Sequence, residues 1–164
     1  MNLKISLLLP IVIFIITGCS NSRVTTFFSP EIPEATYIGK GTNAGPMLVG
    51  ALGATGLAVG IAIDQGIAKD FHKQIEIYKA KHIKNISLLL QGYFPKAVSF
   101  SFSQLKFTAV KNDEDSVNTS LIIKVEENSA IKFVTVELEM IKFDDLKTSD
   151  AFWHSLINKL EKGL

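Results

Sequence analysis

The chain has 164 residues, 17 basic and 16 acidic side chains, and a net charge of +1. This length suits one domain with a modest core. The near-neutral balance, with no basic stripe, excludes nucleic acid as an expected partner. Nearly half the residues are hydrophobic, 47%, but much of that lies in two segments, the N-terminus and a glycine-rich stretch after residue 40.

The chain opens Met1-Asn2-Leu3-Lys4, and an apolar run follows from Ile5 to Ile16, interrupted by Ser6 and Pro10. A short charged region followed by roughly 7–15 apolar residues is the layout of a secretory signal peptide. The run is too short for a membrane-spanning helix, which needs about 20 apolar residues. Ile16-Thr17-Gly18-Cys19 comes next. A branched aliphatic residue, two small ones and a cysteine in this register resemble the lipobox of bacterial lipoproteins. The resemblance covers only the N-terminus. It implies cleavage after Gly18 and a covalent lipid on Cys19; no cofactor beyond that lipid is expected. Ser20, where enterobacterial lipoproteins retained in the inner membrane tend to carry Asp, implies anchoring in the outer membrane, facing the periplasm. Cysteine usage agrees: Cys19 is the sole cysteine, and a free thiol is a liability in an oxidising compartment. Residues 1–18 are therefore read as signal peptide and 19–44 as a lipidated tether, with Ser29-Pro30, Ile32-Pro33 and Gly39-Lys40-Gly41 breaking regular structure.

Residues 41–63 carry no charge and are bracketed by Lys40 and Asp64. Pro46 suits the first turn of a helix, and an apolar helix is expected over 45–67. Gly50, Ala54, Ala58, Ala62 and Gly66 recur every four residues and so share one helix face. Gly56 and Gly60 add a G-x-x-x-G beside it. Each glycine costs a helix about 1 kcal/mol in water, and close backbone approach is what repays such a choice. The segment resembles the glycine zippers of certain envelope proteins, which implies self-association or entry into lipid. The alternative is a helix or helical hairpin packed inside the fold.

From Asp64 onward Ile63, Ile67, Phe71, Ile75, Tyr78 and His82 trace one apolar face, so an amphipathic helix is expected to end near Gly92, ahead of Pro95. Period-two alternation then begins. Val98, Phe100 and Phe102 alternate with serines; Leu105, Phe107 and Ala109 have the opposite parity, which predicts a bulge near Ser103-Gln104. After a turn over 112–115, Val117, Thr119, Leu121, Ile123 and Val125 form the inward face of a second strand. Asn128-Ser129 turns the chain into a third, with Val134, Val136, Leu138 and Met140 inward. The expected fold is α+β: a three-stranded antiparallel meander in a periplasmic α-β-β-β-α domain spanning 68–164. A C-terminal helix from about Ser149 to Lys162 covers the sheet through Phe152, Leu156 and Leu160, with Ser149 or Asp150 as its cap.

Catalytic chemistry is not expected. His72, His82 and His154 have no i, i+4 histidine partner, the acidic run 113–115 lacks the EF-hand pattern, and no nucleophile elbow or P-loop appears; no metal site is expected. Two functions fit. One is a non-enzymatic outer-membrane lipoprotein serving envelope assembly, barrier function or partner docking, held to membrane lipid through Cys19. Its glycine-rich helix would form a homo-oligomer, enter the bilayer or engage an envelope protein. The other is a monomeric lipid-anchored binding or accessory domain.

Overall fold

The computed structural model describes residues 27–29 and 31–164. The signal peptide over 1–18 and the lipid site Cys19 lie outside the described residues. Along the chain the elements are β1 (Phe27–Ser29), β2 (Ala35–Ile38), α1 (Lys40–Leu52), α2 (Ala54–Tyr93), β3 (Ala97–Val110), β4 (Asp113–Glu127), β5 (Ala130–Lys142), α3 (Phe143–Thr148) and α4 (Ala151–Lys162).

The mixed helix-and-sheet class is as expected, but among the described residues the sheet has five strands rather than three. β3, β4 and β5 form the antiparallel meander. β1 and β2 then add in succession to the free edge of β3, both parallel to it, with Phe28 opposite Phe100 and Tyr37 opposite Phe107. Two stretches of the segment read as tether are therefore sheet. Pro33 falls between them, where a residue without an N–H cannot join a ladder. The side chains of Ile32, Ala35 and Tyr37 are buried in the core.

The meander follows its alternation. Val117, Thr119, Leu121, Ile123 and Val125 are all fully buried. The register of β3 slips between Phe102 and Gln104, which lets Phe102 and Leu105 both face inward. A second irregularity, between Val117 and Thr119 opposite Ile141 and Leu138, inverts the end of β5. Ile141 is buried there and Met140 points outward, a correction to the expected inward Met140. Asn128 and Ser129 both take positive φ, 50° and 66°, the two-residue turn whose twist matches that of the strands it joins.

One face of the sheet is covered by α2 and α4. Ile67, Phe71, Ile75, His82, Ile86 and Leu90 form the buried stripe of α2. Phe71 sits among Tyr37, Phe107 and Phe143, at centroid separations of 5.8, 5.0 and 5.2 Å. From α4, Phe152, Trp153, Leu156 and Leu160 are buried. The expected C-terminal helix is α4; a separate short helix, α3, precedes it, and residues 149–150 link the two. Asp150 makes no side-chain cap bond at the start of α4; the Ser149 hydroxyl accepts the Ala151 N–H instead, at 3.3 Å.

Candidate functional site: an apolar helical hairpin

The expected single helix over 45–67 is two helices. α1 begins at Lys40, so Pro46 sits within it rather than at its first turn. The chain reverses at Gly53, whose φ of 64° and ψ of −147° form a backbone state open to glycine and costly for other residues. α1 and the first turns of α2 thus make an antiparallel hairpin, and α1 packs chiefly on α2.

The hairpin closes through glycines. A Cβ on Gly41 would lie 1.9 Å from the carbonyl oxygen of Gly60, and one on Gly56 would lie 2.2 Å from that of Leu48. Gly41, Gly45, Gly56 and Gly60 are the buried glycines of the two legs. Two G-x-x-x-G faces therefore meet, one from each leg. Of the residues singled out from the sequence, Gly56 and Gly60 lie in this contact, while Gly50, Ala54, Ala58, Ala62 and Gly66 lie on the exposed exterior. Gly41 and Gly45 were missed, although their spacing repeats that of Gly56 and Gly60.

Asp64 anchors the base of the hairpin. It is buried, 4% exposed, and its carboxylate accepts the N–H groups of Gly39 (3.2 Å), Gly41 (2.7 Å) and Thr42 (3.0 Å) and the Thr42 hydroxyl. The Lys40 N–H donates to the Tyr37 hydroxyl at 3.3 Å. The donors that a helix N-terminus leaves unpaired are thus satisfied, and a negative charge sits where the helix dipole favours it. Burial pushes the Asp64 carboxyl up, but bonds from the Thr42 side chain and the Gly41, Gly39 and Thr42 N–H groups outweigh it and hold the group below its ordinary value. The Lys40 ammonium lies 4.1 Å over the Phe143 ring and ties the same base to the domain.

A sign follows for pH. A carboxyl depressed in the folded state contributes stability that is complete above its ordinary value near 4, and loses it as pH falls through the depressed value. Asp64→Ala is expected to weaken the base of the hairpin by about 2–4 kcal/mol at neutral pH, since several buried donors lose a charged acceptor. Hydrogen exchange of the amides of Gly41 and Thr42 checks this: the parent should lose their protection only below about pH 4, and the variant should lack it at pH 7.

Beyond that base no charge occurs until the tip is passed and Asp64 is reached. Met47, Val49, Leu52, Leu57, Val59, Ile61 and Ile63 are all exposed, Met47 to 83%. The tip is internally bonded: the Gly53 N–H donates to Val49 O at 2.8 Å and the Thr55 hydroxyl to Leu52 O. α1 is about 20 Å long at 1.5 Å per residue, short of the roughly 30 Å of a bilayer's hydrocarbon core. Among the described residues no helix is long and apolar enough to cross a membrane.

A second feature is a groove of about 700 Å³ between β2 and α2, lined in part by Thr36, Tyr37, Gln65, Lys69 and His72. The Nδ1 atom of His72 is buried without a hydrogen-bond partner among the described residues. No protein-family model matches the chain, and no curated protein or solved structure matches it.

Proposed function

We propose that this chain is a non-enzymatic lipoprotein of the bacterial outer membrane, anchored through lipid on Cys19, whose helical hairpin enters the membrane as a second attachment and carries the α+β domain on its periplasmic side. The observation that carries this reading is the all-round apolar exterior of the hairpin. A helix pair with one apolar face suits a protein partner, but a pair apolar on every side suits an apolar solvent. A hairpin whose backbone groups are paired internally meets the main demand that lipid makes. Its reach fits entry into the bilayer rather than passage through it. The exposed small residues Gly50, Ala54, Ala58, Ala62 and Gly66 then form a smooth strip on which a second copy can pack within the lipid.

The test is flotation of residues 20–164, made without the lipid, on vesicles. The protein is expected to float. Each large apolar side chain contributes about 1.5–3 kcal/mol when buried, so replacing Leu52, Leu57 and Ile61 together by Ser should lower vesicle binding by about a hundredfold or more. The melting temperature should stay within a few degrees, because none of the three is in the core. A parent protein that stays in solution with vesicles would overturn the proposal. It would favour the other reading, a lipid-anchored accessory domain with Cys19 as sole anchor, in which the groove beside His72 is the feature to probe.

A further inference from the structure

His82 meets Asp150 and His154, about 70 positions further along the chain, where α2 passes the start of α4. The His82 Nε2 atom lies 2.8 Å from Asp150 Oδ2, and His154 Nε2 lies 3.3 Å from Asp150 Oδ1. One ligand-capable atom from each residue falls within 4.8 Å of the other two. His82 is buried, and its ring stacks on Trp153 at an interplanar angle of 15°, which fixes its plane. Asp150 immediately precedes α4 and His154 lies in its first turn; four positions apart, the two reach the same side, much as one helix offers two ligands. Lys81 also reaches Asp150 Oδ2, at 2.7 Å, from a side chain that is 63% exposed.

We propose that His82, Asp150 and His154 form a binding site for a divalent metal of the zinc class, which clips the last helix to the long one. Two imidazole nitrogens and one carboxylate oxygen are a donor set that suits zinc and leaves a fourth position for water. Bonds of about 2.0–2.2 Å in tetrahedral geometry require ligand atoms roughly 3.4 Å apart. The two His–Asp distances, 2.8 and 3.3 Å, fall just short of that spacing, so a small outward shift admits the ion. The remaining adjustment falls on His154, which is 61% exposed and free to turn. Metal binding replaces the Lys81 ammonium at the carboxylate, and that mobile side chain returns to water. The carboxylate already faces both imidazole Nε2 atoms, one oxygen toward each. Asp150 therefore has work other than capping, consistent with a side chain that turns from its own helix N-terminus toward two histidines.

The full chain, purified in detergent and stripped with a chelator, is titrated with Zn²⁺. One ion per chain is expected, with a rise in melting temperature of about 5–10 °C at a hundredfold excess over Kd. His154→Ala tests the assignment without disturbing the core. Its metal-free melting temperature should match the parent's, its zinc affinity should fall by about tenfold or more, and the thermal gain should vanish. His82→Gln should also abolish the gain if it folds. Failure of zinc to bind the parent, or equal binding by the parent and His154→Ala, overturns the proposal; the latter would mark the metal as adventitious.

Discussion

Replacing Trp153 by alanine is expected to cost the folded domain about 3–5 kcal/mol, a large share of the 5–15 kcal/mol that holds a typical domain together. Trp153 is fully buried where three elements meet. It touches Phe152 on its own helix, Phe102 on β3 and His82 on α2, at centroid distances of 5.1, 6.4 and 6.1 Å. Its indole N–H donates to the carbonyl of Ile75 at 3.0 Å, so α4 is tied to α2 by a directional bond as well as by area. The alanine variant leaves a void among the rings of Phe152, Phe102 and His82. Phenylalanine separates the two contributions, keeping most of the packing and losing the bond, and should cost about 1–2 kcal/mol more than an isosteric core exchange. Urea unfolding followed by far-UV circular dichroism reads both. A Trp153→Ala midpoint within error of the parent's would remove α4 from the account of what stabilises the sheet.

The second large effect is expected in the hairpin, and it leaves the domain standing. A Cβ on Gly60 would sit 2.5 Å from the carbonyl oxygen of Gly41. The obstacle is backbone, so neither leg can yield locally. Gly60→Leu should separate α1 from α2, strip Asp64 of its donors and raise amide exchange across residues 40–52 by about a hundredfold or more, equivalent to roughly 3 kcal/mol. The core lies outside this contact, and its melting should move little. Gly50→Ala and Gly66→Ala are the controls. A Cβ meets nothing within 4 Å at either position, and alanine is the better helix former by about 1 kcal/mol, so exchange should slow or stay unchanged. If Gly60→Leu left the exchange of α1 untouched, the hairpin would not be closed by its glycines. If Gly50→Ala instead broke assemblies of the full chain in detergent, the outer strip would be the contact between copies.

The parts of the fold that were legible in the sequence are those with a local period. The β3–β5 meander, the bulge after Phe102 and the amphipathic run of α2 each announce themselves within some ten residues. β1 and β2 do not, because they are three and four residues long and pair with a strand about 70 positions away. Three or four residues carry too little alternation to be read, and parallel pairing leaves no hairpin signal. The outward turn of Met140 is not legible, because a register slip opposite β5 inverts parity without any mark in β5 itself. In the hairpin the glycine spacing pointed to close helix contact, but it could not say which glycine turns the chain. Gly50, Gly53 and Gly56 are equivalent in composition, and only Gly53 takes a positive φ. In the sequence Asp64 is only the end of a charge-free run; that it caps another helix depends on a reversal invisible to periodicity. The triad of His82, Asp150 and His154 has no sequence mark for a related reason: only the fold brings an aspartate and its neighbouring histidine to a histidine 68 positions from that aspartate.

α2 is unbroken for 40 residues, about 60 Å at helical rise. Its first turns form one leg of the hairpin, and its later turns carry Phe71, Ile86 and Leu90 into the core. No flexible joint separates the two, so the helix acts as a lever. Whatever grips the tip also sets the tilt of the domain, and with it the direction in which the uncovered side of the sheet, bearing Ile131 and Phe133, is aimed. Load applied at one end is felt at the other as torque rather than absorbed by a hinge.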